Sequence, residues 1–278
     1  MKHLFLFFIC FNSFIHAQIT ISGKVYDKAA SDAIPFASIG IKGKSVGTVS
    51  DENGVFTIVL KDVSDTDSLK ISAIGYRSKS YSISKAKSFN NELIYLDQSS
   101  VNLAEVVVKP TKTITKVLGN KNYNTNIQCS FQGSGANFLG VEAAIKANNK
   151  RDRDVWIEDF NFYLNKNTIE DSVTFRLNFY KEDKDGMPGE NLLSKPIVFK
   201  IAKKQSGIVS LNLKKYNLHT KGDFFISMEC LSNKVNKDNL TFSGSIMGPA
   251  FFKMASFANW EKVALMGLDF NVTVTYQK

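Results

Sequence analysis

Apolar residues recur at every second position in short runs along most of the chain, and this period constrains the fold more than any other feature. Because the side chains of a strand point alternately to its two faces, the period predicts strands with one buried face. Turn signals such as Asn53-Gly54 separate the first runs, and no helical period lies between them. The first part of the chain therefore predicts an antiparallel sandwich. Its predicted inward residues are Ile19, Ile21, Val25, Ala37, Ile39, Ile41, Phe56, Ile58, Leu60, Leu69, Ile71 and Ala73.

Longer runs with the same period follow after a basic segment. One face of each run is apolar and the other is mixed, which is typical of a two-sheet antiparallel sandwich of jelly-roll type. The predicted inward residues are Phe160, Phe162, Leu164, Val173, Phe175, Leu177, Phe179, Val209, Leu211, Leu213, Phe224, Ile226, Met228, Cys230, Leu268, Phe270, Val272, Val274 and Tyr276.

The length of 278 residues allows two domains, each with its own core. The segment from Val101 to Val108 is predicted to be the last strand of the first domain, before a Lys/Thr-rich connector. We expect a first sandwich at residues 18–109, a basic linker at 110–122 and a second sandwich at 123–278.

Residues 1–17 have the pattern of a secretory signal peptide, with a basic start at Lys2, an apolar stretch and small Ala17 at the expected cleavage point. The stretch is shorter than the roughly 20 apolar residues of a membrane-spanning helix, so an uncleaved anchor is the less favoured alternative. Large residues before Cys10 disfavour a lipoprotein signal. We therefore expect an exported protein without a transmembrane span.

The net charge of +9 is partly concentrated around the predicted linker, because no acidic residue occurs from Val106 to Val141. A basic stretch of this kind can attract nucleic acid, an anionic membrane or an acidic glycan. We interpret it as a solvated linker, and nucleic acid is not an expected partner of an exported protein.

Cleavage would leave one histidine, His219, and two cysteines, Cys129 and Cys230. One histidine cannot build a multi-histidine zinc site, and the chain has no CxxC motif, so we expect no cofactor. Both cysteines are predicted to point into the second sandwich. We expect two separate buried thiols, with a Cys129–Cys230 disulfide as the alternative that an oxidising compartment permits.

Four segments of the first domain together carry a family resemblance. They are ISGKVYD from Ile21, IPFASI from Ile34, GTVSDENGVF from Gly47 and LKISAIGY from Leu69. The series resembles the carboxypeptidase-regulatory-like domain of exported Bacteroidota proteins. The resemblance extends from about Ile19 to Lys109 and includes LAEVVV, from Leu103, as the usual closing strand of that domain.

The resemblance implies a seven-stranded transthyretin-like sandwich that carries no catalytic machinery of its own. The zinc carboxypeptidases that this domain accompanies bind their metal through two histidines and a glutamate. Here one histidine remains after maturation, which is one fewer than such a zinc site needs. We therefore do not expect a zinc carboxypeptidase. The same domain often precedes large outer-membrane receptors, for which this chain is far too short.

Two groups of residues are candidate ligand sites. Asp183, Asp185 and Glu190 resemble part of a calcium loop, because alternate carboxylates can converge on one hard cation. A solvated hairpin explains them equally well. Trp156 and Trp260 are candidate platforms for sugar rings, and Trp260 is the better one because small and polar residues surround it. A position in the core is the alternative for each tryptophan.

Catalysis of the Ser-His-Asp type would have to use His219, which is predicted to lie in a surface loop. The chain has no G-x-S-x-G motif, and we assign no catalytic residue. We expect an all-β, non-catalytic cell-envelope protein, periplasmic or associated with the outer membrane. Its first sandwich would be a spacer or docking module, and its second would recognise an envelope protein. The alternatives are a glycan-binding module that uses Trp260 and a hydrolase with dispersed carboxylates.

Overall fold

The computed structural model describes residues 18–99, 112–123, 125–131, 137–150, 152–246, 248–265 and 267–277. The expected signal peptide and the strand predicted at residues 101–108 lie outside these ranges. The chain is all-β, with 53% strand and 3% helix. No helix in the described ranges is both long enough and apolar enough to cross a membrane.

The first part of the chain folds as a sandwich of a three-stranded and a four-stranded sheet. Its strands are β1 (Ile19–Asp27), β2 (Ser38–Ile41), β3 (Gly47–Val49), β4 (Val55–Leu60), β5 (Ser68–Ser72), β6 (Lys79–Ser82) and β7 (Glu92–Leu96), and a one-turn helix α1 (Ile83–Ala86) precedes β7. The sheet orders are β4-β1-β7 and β3-β2-β5-β6. All neighbouring strands are antiparallel except β1 and β7.

The alternation predicted this core, because the inward residues of β1, β2, β4 and β5 form one buried cluster. Ile39, Leu69 and Ile71 have no exposed surface. The predicted Asn-Gly turn is also present: Gly54 has a φ of +77°, a value that L side chains rarely adopt. The all-β, transthyretin-like assignment of the first sandwich is therefore confirmed.

We expect residues 18–109 to fold alone, because every member of the buried cluster lies between Ile21 and Leu96. Expressed by itself, this fragment should give a cooperative melt and dispersed amide resonances. An amide spectrum typical of a disordered chain would show that the proposed boundary is wrong.

The second part of the chain forms a larger sandwich. Its strands are β8 (Thr113–Gly119), β9 (Gln128–Cys129), β10 (Glu142–Ala147), β11 (Asp154–Asn167), β12 (Val173–Glu182), β13 (Pro188–Asn191), β14 (Ile197–Ile201), β15 (Gly207–Asn212), β16 (Leu218–Lys221), β17 (Phe224–Cys230), β18 (Leu240–Ser245), β19 (Ala250–Lys253), β20 (Glu261–Val263), β21 (Gly267–Leu268) and β22 (Asn271–Gln277).

One sheet of this sandwich has seven strands, in the order β13-β12-β17-β10-β19-β20 with β14 also on β12. The other has eight strands, in the order β21-β18-β11-β22-β8, with β15 and β16 on β11 and β9 on β18. Phenylalanines fill the space between the sheets, and the Phe175 and Phe242 rings meet edge to face at 6.1 Å. The larger antiparallel sandwich is thus also confirmed.

The predicted linker at 110–122 is wrong in part, because Thr113–Gly119 forms strand β8. This strand pairs with the whole of β22 at the edge of the eight-stranded sheet. Only Leu118 of β8 is buried, so its sequence lacks the alternation that identifies a strand with one apolar face. An edge strand with so little burial is indistinguishable from a solvated connector by its pattern.

Both cysteines are buried free thiols. Cys129 lies opposite Phe242 in one sheet, and Cys230 lies opposite Phe175 in the other. The two thiols therefore lie in different sheets, and the alternative of a Cys129–Cys230 disulfide does not hold in this structure. Burial raises the pKa of Cys230 to about 12, so its thiol stays protonated and unreactive.

Candidate functional site

The two sandwiches pack against each other through polar sheet faces. The outer face of the β3-β2-β5-β6 sheet covers the outer face of the seven-stranded sheet. Arg176 Nη1 donates to the Phe36 carbonyl at 2.7 Å, and the Gly43 amide donates to the Phe257 carbonyl at 2.9 Å. A surface ion pair joins Lys200 to Glu52 at 3.0 Å.

The contact is close enough to require glycine on the first sandwich. A Cβ atom at Gly40 would lie 2.2 Å from the backbone oxygen of Ser256, and one at Gly47 would lie 2.6 Å from the same oxygen. Real Cβ atoms essentially never approach a backbone atom this closely. The segment around Ser256 therefore fits against β2 and β3 only because these positions have no side chain.

Two phenylalanines at this interface adopt positive φ angles, 55° for Phe36 and 65° for Phe257. Such angles are strained for a bulky residue, so surrounding contacts must hold them. Each of the two carbonyls accepts a hydrogen bond from the other sandwich, from Arg176 and Gly43 respectively. The backbone strain thus lies at the interface.

A row of four charged side chains crosses the covered face of the seven-stranded sheet. Strand register places Arg176 of β12 opposite Glu229 of β17, Glu229 opposite Glu142 of β10, and Glu142 opposite Lys253 of β19. Arg176 and Glu229 are 2.7 Å apart and are only 5% and 3% exposed. Lys253 and Glu142 are 2.5 Å apart. We call these four residues the charge row.

Neutral side chains connect the two acidic members of the charge row. The Asn178 amide nitrogen donates to Glu142 at 2.9 Å and to Glu229 at 3.1 Å. The Tyr180 hydroxyl donates to Glu142 at 2.9 Å, and the Ser227 hydroxyl donates to the same oxygen. These bonds hold two like charges side by side, which direct cross-strand pairing alone disfavours.

The row is ionised. Burial alone would raise the pKa of Glu142, but the Lys253 ammonium and the hydrogen bonds from Ser227 and Asn178 bring it below its ordinary value. Burial lowers the pKa of Arg176, and the Glu229 carboxylate more than offsets that effect, so the pKa rises. Burial and the Glu142 charge raise the pKa of Tyr180 well above its usual value, which keeps its hydroxyl a donor.

A cavity of about 420 Å³ lies over the charge row, between the two sandwiches. The first sandwich contributes Ser38, Lys70 and Ser72 to its wall. The second contributes Arg176, Asn178, Tyr180, Glu229 and Lys253 from its central strands, Asn191 from the end of β13, and Trp260 from a loop. We call this cavity the cleft. Its volume lies in the usual range for small-ligand pockets.

The two candidate tryptophans lie in different environments. Trp260 lines the cleft and is half-buried, with its ring 4.7 Å from Lys253 Nζ and in edge contact with Tyr180. Trp156 is only 5% exposed and its ring packs 4.9 Å from His219. Trp156 is therefore a core residue, and its assignment as a sugar platform was wrong.

The candidate calcium residues belong to a hairpin turn. One Asp183 oxygen accepts the amides of Asp185 and Met187, both at 2.9 Å, and Glu190 pairs with Lys181 at 3.0 Å. No group of three or more His, Cys, Asp or Glu in the described residues is placed to hold a metal ion. We therefore interpret Asp183, Asp185 and Glu190 as part of a solvated hairpin and not as a metal site.

His219 was also placed wrongly in a loop, because it lies on strand β16. It stands opposite Trp156 in the register of β11 and β16. Its Nε2 lies 3.1 Å from an Asp154 oxygen. The histidine is not among the residues that line the cleft.

Comparison with known proteins identifies the first sandwich. Residues 21–108 match the family model of the CarboxypepD_reg-like domain. The CarboxypepD_reg-like domain thus provides the wall that carries Lys70, and the match does not extend to the second sandwich. No match was found among curated proteins.

Two solved structures of the protein Cwp84 show a distant likeness. The cysteine protease and lectin-like domains of Cwp84, a surface layer associated protein of Clostridium difficile, align at 9% identity with a TM-score of 0.40. That alignment covers 87% of this chain and 59% of the other. Clostridial Cwp84 after propeptide cleavage aligns at 10% identity with a TM-score of 0.39, over 94% of this chain and 72% of the other.

The sequence marked Trp260, which lines the cleft, as a candidate, but it did not mark the charge row. The pattern did mark Arg176, Asn178 and Tyr180 as the mixed face of their strand, alternating with buried phenylalanines. That alternation is the one sequence signal of the charge row, because charged residues on an otherwise apolar strand lie on its outward face. Nothing in the pattern shows that the first sandwich covers that face.

Proposed function

We propose that this chain is a non-catalytic, exported cell-envelope protein, periplasmic or bound at the outer membrane, that binds a glycan in the cleft. The observation that carries the proposal is the position of Trp260 and of three members of the charge row, Arg176, Glu229 and Lys253, on the walls of one cavity. Both sandwiches supply residues to this cavity, so the CarboxypepD_reg-like domain is part of the recognition site and not only a spacer.

The geometry favours a small polar ligand over a protein surface. Protein interfaces are broad, whereas the cleft is concave and has a volume typical of small-ligand sites. Its wall combines polar groups, such as the Ser38 and Ser72 hydroxyls, with the ring of Trp260. A sugar offers hydroxyl groups to such polar groups and an apolar ring face to an aromatic ring.

The charge row does not have the character of a glycosidase pair. A glycosidase needs one carboxyl group that stays protonated as an acid, and its pKa must be raised. The pKa of Glu142 is lowered, and Glu229 accepts hydrogen bonds from Arg176 and Asn178. The Arg176–Glu229 and Lys253–Glu142 ion pairs hold the side chains of this sheet face in place. We therefore propose binding rather than hydrolysis.

Titration against a panel of soluble oligosaccharides tests the proposal. The Trp260→Ala variant should bind the selected glycan at least tenfold more weakly, equivalent to about 1.4 kcal/mol. Tyr95→Ala is the matched control, since Tyr95 is an aromatic residue 39% exposed on the three-stranded sheet, outside the cleft. No binding by any glycan, equal binding by Trp260→Ala, or release of a shortened sugar would contradict the proposal.

A further inference from the structure

Three acceptor atoms on the second sandwich's wall of the cleft already have donors. One Glu229 oxygen accepts from Arg176 Nε at 2.8 Å and from the Asn178 amide at 3.1 Å. The Asn178 carbonyl oxygen accepts from Asn191 at 3.1 Å, and the Asn191 carbonyl oxygen accepts from the Leu193 amide. These three acceptor atoms are therefore engaged within the protein.

Several donors on the two walls of the cleft are available. The Ser38 hydroxyl oxygen accepts from Arg176 Nη2 at 2.9 Å, which leaves its own proton to donate. The Ser72 hydroxyl and the Trp260 ring N–H have no hydrogen-bond partner within the described residues. The cleft therefore offers donors to an acceptor-rich ligand.

Lys70 gives the cleft an excess positive charge. The charge row contains two cations and two anions, so it is neutral as a unit. Lys70 Nζ lies 5.0 Å from the centre of the Phe257 ring, and no carboxylate of the described residues pairs with it. Lys70 is only half-buried, so its ammonium can meet a ligand without a large desolvation cost.

We propose that the cleft selects a carboxylate-bearing sugar, a uronic acid residue of an acidic glycan, and that Lys70 binds the carboxylate. This inference rests on the proposed function and specifies its ligand class. A carboxylate accepts from the ammonium and from the serine hydroxyls in charge-assisted bonds, which are stronger than bonds between neutral groups. The sugar ring would then lie toward Trp260, on the opposite sandwich.

The test compares acidic and neutral forms of one ring. The probes are trimers of galacturonate, glucuronate and mannuronate, each with its methyl-esterified counterpart, which keeps the ring and removes the charge. For at least one trimer, the acid should bind at least tenfold more tightly than its ester. Lys70→Gln should remove this preference, while Lys24→Gln should retain it, because Lys24 lies on β1 and loses the same charge away from the cleft.

The outcomes separate this inference from the proposed function. Equal binding of acid and ester, lost in Trp260→Ala, would overturn the uronate assignment and leave glycan binding in place. Binding of a neutral glycan with no binding of any uronate trimer would also overturn the uronate assignment and leave glycan binding in place. If no glycan binds, both the uronate assignment and the proposed glycan binding are overturned. A preference for the acid that persists in Lys70→Gln would contradict the role of Lys70.

Discussion

Arg176→Met should destabilise the protein by about 3–5 kcal/mol, the usual result when one partner of a buried ion pair is removed. The substitution leaves the Glu229 carboxylate buried without its cation. It also removes the two hydrogen bonds from Arg176 to Phe36 and Ser38, which join the sandwiches. Chemical denaturation, followed by circular dichroism, measures the change in the free energy of unfolding.

The double variant Arg176→Met/Glu229→Gln is the control for the buried charge. Because it removes both charges of the pair, its loss of stability should be smaller than that of Arg176→Met alone. Arg176→Lys keeps the charge but not the planar fork of donors, so it should be intermediate. A loss of less than about 1 kcal/mol in Arg176→Met would contradict the burial of the charge row between the sandwiches.

Gly40→Ala should separate the two sandwiches while leaving each folded. The new Cβ would lie 2.2 Å from the Ser256 backbone oxygen, so the segment at Ser256 must move away from β2. Overpacking of this kind costs about 1–3 kcal/mol. Small-angle scattering should give a larger radius of gyration than for the unchanged protein, and glycan binding should fall, because the cleft has lost one wall.

Gly23→Ala is the matched substitution inside the first sandwich. Its Cβ would lie 2.7 Å from the Glu92 backbone oxygen, a contact between β1 and β7 away from the interface. It should lower the stability of the first sandwich without changing the radius of gyration. An unchanged radius of gyration and unchanged binding in Gly40→Ala would contradict the docking of the two sandwiches.

The inward faces of the strands were predictable from sequence, but the outward faces were not. Alternation placed Phe175 and Ile226 in the core, where the structure has them. The same alternation placed Arg176 and Glu229 on outward faces, which a sequence pattern alone associates with solvent. Their burial depends on which sheet covers them, a contact between residues far apart in the chain that no local pattern specifies.

The charge row shows a second limit. Its order depends on the register of β12, β17, β10 and β19, and no two neighbours in this order are consecutive strands of the chain. Cross-strand pairing of Glu142 with Glu229 would be disfavoured from their charges alone. It is stable here because Lys253 and Arg176 lie on the outer sides of the pair, an arrangement that emerges only from the assembled sheet.

Amide hydrogen exchange with and without the bound glycan tests the central claim most directly, since it maps where the ligand lies. A ligand in the cleft should slow exchange on both walls at once, in β2 and β5 of the first sandwich and around Lys253 and Trp260 of the second. Protection of one sandwich alone, or of the eight-stranded sheet, would contradict the assignment of the cleft as the recognition site.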